Sequence, residues 1–265
     1  MLEQGAVVFL PNLSFSVQQS ERDIFSPAIL SSSKNTSYDP ATDRVGGTTL
    51  EGAQREQLRT VMKRFSDAAA SLIDLLVPEY RGRVERRRAS FRPAEIAGRQ
   101  TSWRKDDTRL HLDAFPASPT HGDRILRVFS NVNPEGRART WRVGEEAEQI
   151  AQRYAGALSL PFPGAAALLA ALRITKSRRT PYDALMLRLH DLMKQDADYQ
   201  ASSTQELVDL PAGSTWLTFT DQVAHAAMAG QYQFEQTFLL PVSAMLSDVR
   251  SPLRVLERLK GRRLA

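Results

Sequence analysis

The stretch TRLHLDAFPASPTHGDRILRVFSNVNPEGRARTWRV, residues 108–143, decides the fold class. Three runs within it read as strands that alternate between apolar and polar residues, and turns rich in Pro and Gly separate them. The same pattern returns nearer the C-terminus, after a long helical interval. The predicted strands are 6–11, 108–115, 124–133, 139–143, 205–210, 214–221 and 233–241.

Helical periodicity surrounds the two groups of strands. Apolar residues recur every three or four positions over 51–77, which predicts a long amphipathic helix that ends before Pro78. The region 145–195 is also predicted to be helical, with Thr180 as the N-cap of its last helix. Ser251 is predicted to cap a short helix near the C-terminus.

Helices packed around two groups of antiparallel strands predict an α+β protein. The expected architecture is a β-sandwich or jelly-roll core with helical insertions, in which the two groups of strands interleave. No linker or internal repeat divides the chain. Residues 1–265 are therefore expected to form a single domain.

The composition restricts the possible chemistry. The chain has no cysteine, which excludes disulfides, iron–sulfur clusters and thiol nucleophiles, so any metal must bind His, Asp or Glu. Of the four histidines, His121 in a turn and His190 on a helix are expected to be surface or packing residues. No targeting signal is recognisable, and the longest apolar run, 164–172, is shorter than the ~20 residues of a membrane span. We therefore expect a soluble, cytoplasmic protein.

The charge balance is basic, with a formal net charge of +5, and only six of the 35 basic residues are lysines. Arginine binds carboxylates and phosphates through two parallel hydrogen bonds, which favours an anionic substrate or surface. A genome rich in G and C would enrich arginine equally well. The run RGRVERRR at 81–88 is the densest local cluster.

Three side chains form a candidate metal site. His111 and Asp113 are two residues apart in a predicted strand, so their side chains point to the same face. His225 follows the predicted strand 214–221. Two imidazoles and one carboxylate leave three coordination positions open, the arrangement of non-haem Fe(II) oxygenases. The alternative is that Asp113 caps a turn and both histidines are ordinary polar residues.

Long runs of the sequence resemble the Kdo hydroxylase family. The likeness is strongest over 102–145 and 214–240, and it includes TKSRRTPYDALMLRLHDLMK at 175–194. It extends over nearly the whole chain. Runs of this length are far more specific than the spacing of three metal ligands.

The resemblance implies a double-stranded β-helix (jelly-roll or cupin-like) core and an Fe(II)- and 2-oxoglutarate-dependent dioxygenase. Such an enzyme would use O2 to hydroxylate C3 of 3-deoxy-D-manno-oct-2-ulosonic acid (Kdo) in lipopolysaccharide biosynthesis. His111, Asp113 and His225 would be the iron ligands. The substrate would be a Kdo-lipid A type glycolipid at the cytoplasmic face of the inner membrane, with neither nucleic acid nor an obligate protein partner.

One position departs from the wider superfamily. Many of its members bind the far carboxylate of 2-oxoglutarate with an arginine about ten residues after the distal histidine, where this chain has Glu235. We expect Arg127 to replace that arginine, with Asn131 and Thr237 lining the same pocket and Arg124 as the second choice. The alternative for Arg127 is a salt bridge with Glu235.

An anionic sugar substrate requires cations near the metal. Arg104 and Lys105, just before the predicted metal strand, and Lys34 are the candidates for substrate binding. The cluster at 81–88 could instead contact anionic lipid headgroups, where each basic residue contributes about 1 kcal/mol. Surface solvation is the simpler explanation for each of these residues taken singly.

Three other functions remain open on the sequence alone. A nucleic-acid demethylase would suit the basic charge, but that group has additional arginines after the distal histidine, and residues 225–238 contain none. A metal-dependent hydrolase could use the same ligands to activate water. A non-catalytic lipopolysaccharide-binding factor would not need Asp113. The sequence contains neither a nucleophile elbow nor a phosphate-binding loop.

Overall fold

The computed structural model describes residues 1–162 and 164–265, and within them lie ten strands and six α-helices. The strands are β1 Val8–Leu10, β2 Thr36–Asp39, β3 Arg44–Gly46, β4 Glu85–Arg92, β5 Arg124–Asn131, β6 Arg139–Glu146, β7 Gln205–Leu210, β8 Thr215–Phe219, β9 Val223–Ala229 and β10 Gln233–Leu240. The helices are α1 Gly52–Leu76, α2 Ala147–Arg153, α3 Ala165–Ala171, α4 Pro181–Gln195, α5 Ala197–Ser202 and α6 Pro252–Lys260. Residue 163, inside the region predicted to be helical, lies outside the described residues.

Two antiparallel sheets form the core. The large sheet has the strand order β1-β8-β5-β10-β4-β2-β3, and the small sheet has the order β7-β6-β9. Two pairs of strands that are neighbours in sequence are divided between the sheets: β5 and β8 belong to the large sheet, whereas β6 and β9, which follow them, belong to the small one. This interleaving confirms the predicted jelly-roll core with helical insertions. The extent of the domain, 1–265, stays a prediction.

Aromatic side chains fix both faces of the large sheet. On its outer face, the ring of Phe234 stacks on Phe91 at 4.6 Å and on Phe65 of α1 at 5.1 Å. On its inner face, the ring of Phe129 meets that of Trp141 in the small sheet at 4.9 Å. The contact between the last two rings shows that the inner faces of the sheets pack against each other, as in other sandwiches.

The outer face of the small sheet is covered by helices. Leu185 and Leu189 of α4 belong to the same buried apolar cluster as Ala224 of β9. Leu110 and Leu112 are fully buried in this cluster. Because these two leucines point towards the helices, the side chains of the residues next to them in the chain point the opposite way, towards the space between the sheets.

Most of the predicted elements are confirmed, and so are their caps. The helix predicted at 51–77 is α1, and Val77 follows its last residue. The hydroxyl of Thr180 accepts a hydrogen bond from the backbone N–H of Asp183, and the hydroxyl of Ser251 accepts one from that of Arg254. These caps satisfy N–H groups that the first turn of a helix leaves without partners.

The prediction of a strand at 108–115 is wrong. Only His111 makes a β-bridge there, a single antiparallel pair with His225, and the residues that follow are irregular. Four strands of the described residues were missed: β2 and β3, in a region that its polar residues and glycines predicted to be loops, β4, whose arginines resembled a solvated charge run, and β9, whose alanines gave no strand signal. His225 therefore lies within a strand rather than after one. No helix among residues 1–162 and 164–265 is long and apolar enough to span a membrane.

Candidate metal centre

Reciprocal backbone hydrogen bonds bring the two candidate histidine ligands together. The N–H of His111 donates to the carbonyl oxygen of His225 at 3.1 Å, and the N–H of His225 donates to that of His111 at 3.0 Å. Side chains of directly paired residues project from the same face. The two imidazole rings consequently lie with their centroids 4.7 Å apart.

Asp113 joins them from the irregular segment. Its backbone N–H donates to the carbonyl oxygen of Thr220 at 2.8 Å, which fixes its position beside the end of β8. Its Oδ1 lies 3.7 Å from Nε2 of His111. Nη2 of Arg127 is 3.1 Å from the other oxygen, Oδ2, which accepts no hydrogen bond among the described residues. One ligand atom from each of the three residues lies within 4.8 Å of the others.

Backbone carbonyls determine which imidazole nitrogens face the site. Nδ1 of His111 is 2.7 Å from the carbonyl oxygen of Arg109, and Nδ1 of His225 is 2.9 Å from that of Val223. A carbonyl oxygen only accepts hydrogen bonds, so we assign the proton to Nδ1 in both rings. Nε2 is then the free donor atom of each ring, as is usual when a second group orients a metal-binding histidine.

Burial of the two histidines and the charge of Arg127 beside Asp113 keep the three groups in their metal-binding protonation states. Desolvation lowers the pKa of His111 and of His225, so both imidazoles are neutral at neutral pH. Burial alone raises the pKa of the Asp113 carboxyl, but the neighbouring charge of Arg127 outweighs it and the net pKa lies below the ordinary value. Neutral imidazoles and a carboxylate are the forms that bind metals.

The three residues line a cavity of about 120 Å³ between the sheets. Its remaining walls are Arg92, Asp107, Arg127, Phe129, Arg139, Trp141, Ala227, Gln233 and Glu235. Two arginines neutralise Glu235: Nε of Arg92 is 3.0 Å from its Oε2, and Nη1 of Arg127 is 2.6 Å from its Oε1. Burial tends to raise the pKa of Glu235, but these two guanidiniums bring it below the ordinary value.

Arg139 has a different environment from the other two arginines. It is 1% exposed, and within the described ranges no carboxylate lies within salt-bridge distance of it. Its Nη1 donates to the carbonyl oxygen of Gly230 at 2.9 Å, whereas its Nε and the Nε1 of Trp141 are buried without a hydrogen-bond partner among these residues. Burial lowers the pKa of Arg139 to about 9, and the charge of Arg92 acts in the same direction. These two donors can bind an anion.

Arg139 and Trp141 were not predicted to be site residues. A signal was available, because both residues lie in the predicted strand 139–143 and alternate onto one face. In the structure, that strand pairs with β9, and Val143 is directly opposite His225. Recognising this pairing requires knowledge of β9, whose small residues give no strand signal.

Three residues predicted to bind the cosubstrate do not line the cavity. Arg124 is fully buried elsewhere, with its Nε 2.8 Å from Oδ2 of Asp221. The amide nitrogen of Asn131 donates to the carbonyl oxygen of Leu210 at 2.9 Å and holds a loop. Thr237 lies on the same side of the large sheet as Glu235 but outside the cavity wall.

The three predicted substrate-binding cations lie close to one another on the surface. Nζ of Lys34 is 2.9 Å from Oδ1 of Asp107, a residue of the cavity wall, and 3.0 Å from the carbonyl oxygen of Lys105. Arg104 is exposed, and its Nε is 3.1 Å from Oδ2 of Asp191. The structure thus brings Lys34 to the cavity rim and leaves the other two in solvent.

The other two histidines have different environments. His121 is in an exposed turn, as expected, with Nε2 3.0 Å from the carbonyl oxygen of Arg178. His190 on α4 meets the ring of His111 edge to face, with centroids 5.5 Å apart. Its Nδ1 is 3.0 Å from Oδ1 of Asp191. It is a packing residue, as expected, but it packs directly against a candidate metal ligand.

The comparisons with known proteins agree with this geometry. The family model described as 3-deoxy-D-manno-oct-2-ulosonic acid (Kdo) hydroxylase matches residues 1–263. The chain belongs to the Kdo hydroxylase family. A comparison with curated protein sequences finds no match.

Solved structures of the Kdo hydroxylase KdoO, described as a non-heme Fe(II) alphaketoglutarate dependent dioxygenase, are closely similar. The complex with alphaketoglutarate and Fe(III) is 45% identical, with a TM-score of 0.97 over 100% of this chain and 89% of that chain. The complex with cobalt(II) is 46% identical, with a TM-score of 0.97 over 99% and 89% of the two chains. The complex with succinate and Fe(III) is 46% identical, with a TM-score of 0.96 over 99% and 88%.

The first prediction concerns the metal. Replacing Asp113 with Ala removes the only carboxylate of the three ligands. We expect the affinity for Co(II) to fall by about 100-fold or more, because even residues that only support metal ligands contribute 10- to 100-fold. Titration calorimetry measures this change. Asp209→Ala, at an exposed carboxylate on β7, is the matched control and should bind Co(II) as the wild type does. Unchanged affinity in the Asp113 variant would remove Asp113 from the site.

Proposed function

We propose that this chain is an Fe(II)- and 2-oxoglutarate-dependent dioxygenase that hydroxylates C3 of Kdo in a Kdo-lipid A type glycolipid. The observation that carries the proposal is the convergence of His111, Asp113 and His225 in a buried cavity that also contains anion-binding donors. In such a reaction one atom of O2 enters the C3–H bond as a hydroxyl group. The other atom enters succinate, and carbon dioxide leaves from C1 of 2-oxoglutarate.

The donor set fits ferrous iron. Two neutral imidazoles and one carboxylate occupy three positions and leave three for a bidentate 2-oxo acid and dioxygen. When bound, iron supplies the activation of dioxygen that is coupled to the decarboxylation of 2-oxoglutarate. The protein contributes the charge of Arg127, which lies 3.1 Å from Oδ2 of Asp113 and keeps that carboxyl group ionised for metal binding.

The far carboxylate of 2-oxoglutarate fits Arg139 and Trp141 better than Arg127. The charge of Arg127 is already shared between Asp113 and Glu235, whereas Arg139 has no carboxylate partner in the part of the chain that the structure describes. An unpaired buried cation is costly, and a bound carboxylate would relieve that cost. The role of Arg127 would then be to neutralise Glu235, the residue that would otherwise repel the cosubstrate.

The reaction can be tested directly. Purified protein with Fe(II), 2-oxoglutarate, oxygen and a Kdo-lipid A precursor is expected to form succinate and a product heavier by one oxygen atom. With ¹⁸O₂ the added mass should become that of the heavy isotope, because the hydroxyl oxygen comes from dioxygen. Mass spectrometry of the Kdo residue measures both changes. A metal-dependent hydrolase would give no succinate, and product formation without 2-oxoglutarate would contradict the proposal.

The assignment of Arg139 gives a separate prediction. Arg139→Gln should weaken binding of 2-oxoglutarate by about 10- to 100-fold, because a hydrogen bond to a charged group contributes about 1.5–3 kcal/mol. The dissociation constant is measured anaerobically with the Fe(II) protein. Arg142→Gln is the control, since Arg142 lies on the same strand and donates to the carbonyl oxygen of Thr108, outside the cavity. If Arg127→Gln alone weakened binding, the original choice of Arg127 would stand.

We also propose that the protein contacts the anionic cytoplasmic face of the inner membrane, where its glycolipid substrate would lie. An apolar surface around α3 supports this proposal. Its members are Phe162 at 89% exposed, Leu168 and Leu172 at 61% each, and Ile174 at 54%. Arg173, Lys176 and Arg178 follow directly in the sequence, are exposed, and would complement anionic headgroups. Apolar side chains beside basic ones are typical of interfacial segments.

Vesicle binding tests this surface. The triple variant Phe162→Ser, Leu168→Ser and Leu172→Ser should bind vesicles containing phosphatidylglycerol at least about tenfold more weakly, since burying one large apolar side chain contributes roughly 1.5–3 kcal/mol. Leu207→Ser on β7, which is 66% exposed, is the control for a general loss of surface apolarity. Co-sedimentation measures the bound fraction. An equal loss in the Leu207 variant would contradict a specific role for the apolar surface around α3.

A further inference from the structure

A groove of about 560 Å³ adjoins the metal cavity. The two spaces share the side chains of Arg92, Arg127 and Glu235 as walls. The groove continues along the inner face of the large sheet, past Thr237 and Leu239 of β10. A molecule that reaches the metal cavity from this side therefore lies partly in the groove. We call this space the cationic groove.

An irregularity in β4 concentrates positive charge in the cationic groove. Gln236 pairs with Ala89, but Phe238 pairs with Arg86, so Thr237 alone lies opposite both Arg87 and Arg88. Such a β-bulge redirects side chains that would otherwise alternate between the two faces. Both arginines consequently line the groove beside Thr237.

The charges that line the groove do not balance. Six cationic side chains and three carboxylates line it: Arg86, Arg87, Arg88, Arg92, Arg127 and Lys176, and Asp39, Glu85 and Glu235. Carboxylates outside the lining also pair with three of these arginines, Asp67 with Arg86, Asp107 with Arg92 and Asp113 with Arg127, so the weakly compensated cations are Arg88 and Lys176. The pair between Nε of Arg88 and Oδ2 of Asp39, at 3.2 Å, is largely exposed, and such pairs are weak enough for an anionic ligand to replace. Lys176 has no salt bridge to any residue in the described ranges.

The wall opposite β4 holds Lys176 in place. Its backbone N–H donates to the carbonyl oxygen of Ala117 at 2.9 Å, which ties it to the loop 115–118 across the groove from β4. Ser90, Ser118 and Thr237 add hydroxyl groups that can bind sugar hydroxyls. Cations and hydroxyls on facing walls are the chemistry that recognises an acidic saccharide.

We propose that the cationic groove binds an anionic group of the substrate, a phosphate or carboxylate one sugar away from the Kdo that reacts, through Arg88 and Lys176. This proposal rests on the proposed function. The substrate would extend from the membrane-facing surface around α3 into the groove and present its terminal sugar to the metal. Lys176 belongs to the basic run that follows α3 and also lines the groove, so the two surfaces are continuous.

The test compares Arg88→Gln, Lys176→Gln and the double variant with the wild type. The assay uses a Kdo-lipid A precursor in neutral detergent micelles, so that anionic lipid headgroups are absent. We expect the KM for this substrate to rise by about 10-fold in each single variant and by up to about 100-fold in the double variant, with kcat little changed. Binding of 2-oxoglutarate to the Fe(II) protein should not change.

The matched control is Arg83→Gln, at an exposed arginine of the same run that does not line the groove. A second arm uses substrate from which the phosphates have been removed. If the group bound is a phosphate, wild type and double variant should then have similar KM values. If the difference persists, the group bound is a carboxylate of the sugar.

Two outcomes overturn the cationic groove as a binding site. One is an unchanged KM in the double variant, and the other is an equal rise in Arg83→Gln, which would indicate a general effect of surface charge. In both cases the wild type still hydroxylates Kdo, so the proposed function stands. If the wild type forms no hydroxylated Kdo and no succinate, the proposed function fails and the groove proposal fails with it.

Discussion

The reciprocal backbone hydrogen bonds between His111 and His225 are the contact on which the rest of the site depends. They attach an irregular segment to β9 at a single residue, and that one pairing sets both imidazoles side by side. Burial of Leu110 and Leu112 under α4 prevents the segment from rotating, because rotation would expose two fully buried leucines and bury the polar ligands among apolar side chains. The hydrophobic cluster thus orients the metal ligands without contacting the metal.

Charge balance determines which residues of the cavity are available for a ligand. Glu235 and Asp113 together engage Arg92 and Arg127, so these four groups compensate one another between the sheets. Arg139 is left over, buried and without such a partner in the described part of the chain. A buried charge is retained only where something pairs with it. The glutamate at the position where many superfamily members have an arginine is therefore consistent with the anion site that we propose at Arg139 on β6.

Local pattern in the sequence predicted much of the fold. The periodicity of α1, the cap at Thr180 and the strands β5, β7 and β10 depend on neighbouring residues, and all were identified. Alternation in a predicted strand also placed His111 and Asp113 on one face. The strand is absent, but burial of Leu110 and Leu112 imposes the same alternation of side chains. What failed depends on pairing between distant segments. The position of Arg139 opposite the metal ligands depends on β9, whose small residues carry no strand signal. The salt bridge of Arg127 with Glu235 in β10, which the sequence offered as the alternative for Arg127, is confirmed.

The two anion sites that we infer differ in their exposure to water. Arg139 and Trp141 lie in the buried cavity, where donors without partners are costly and a bound carboxylate is shielded from salt. Arg88 and Lys176 lie in an open groove, where charges are hydrated, partly paired and exchangeable. The buried cavity suits 2-oxoglutarate, a small dianion that must be held rigidly while its carbon–carbon bond breaks. The open groove suits a large glycolipid that must enter, turn its reacting sugar towards the metal and leave. The β-bulge in β4 matters for this reason, because it gives the entrance its charge without adding another unpaired cation to the interior.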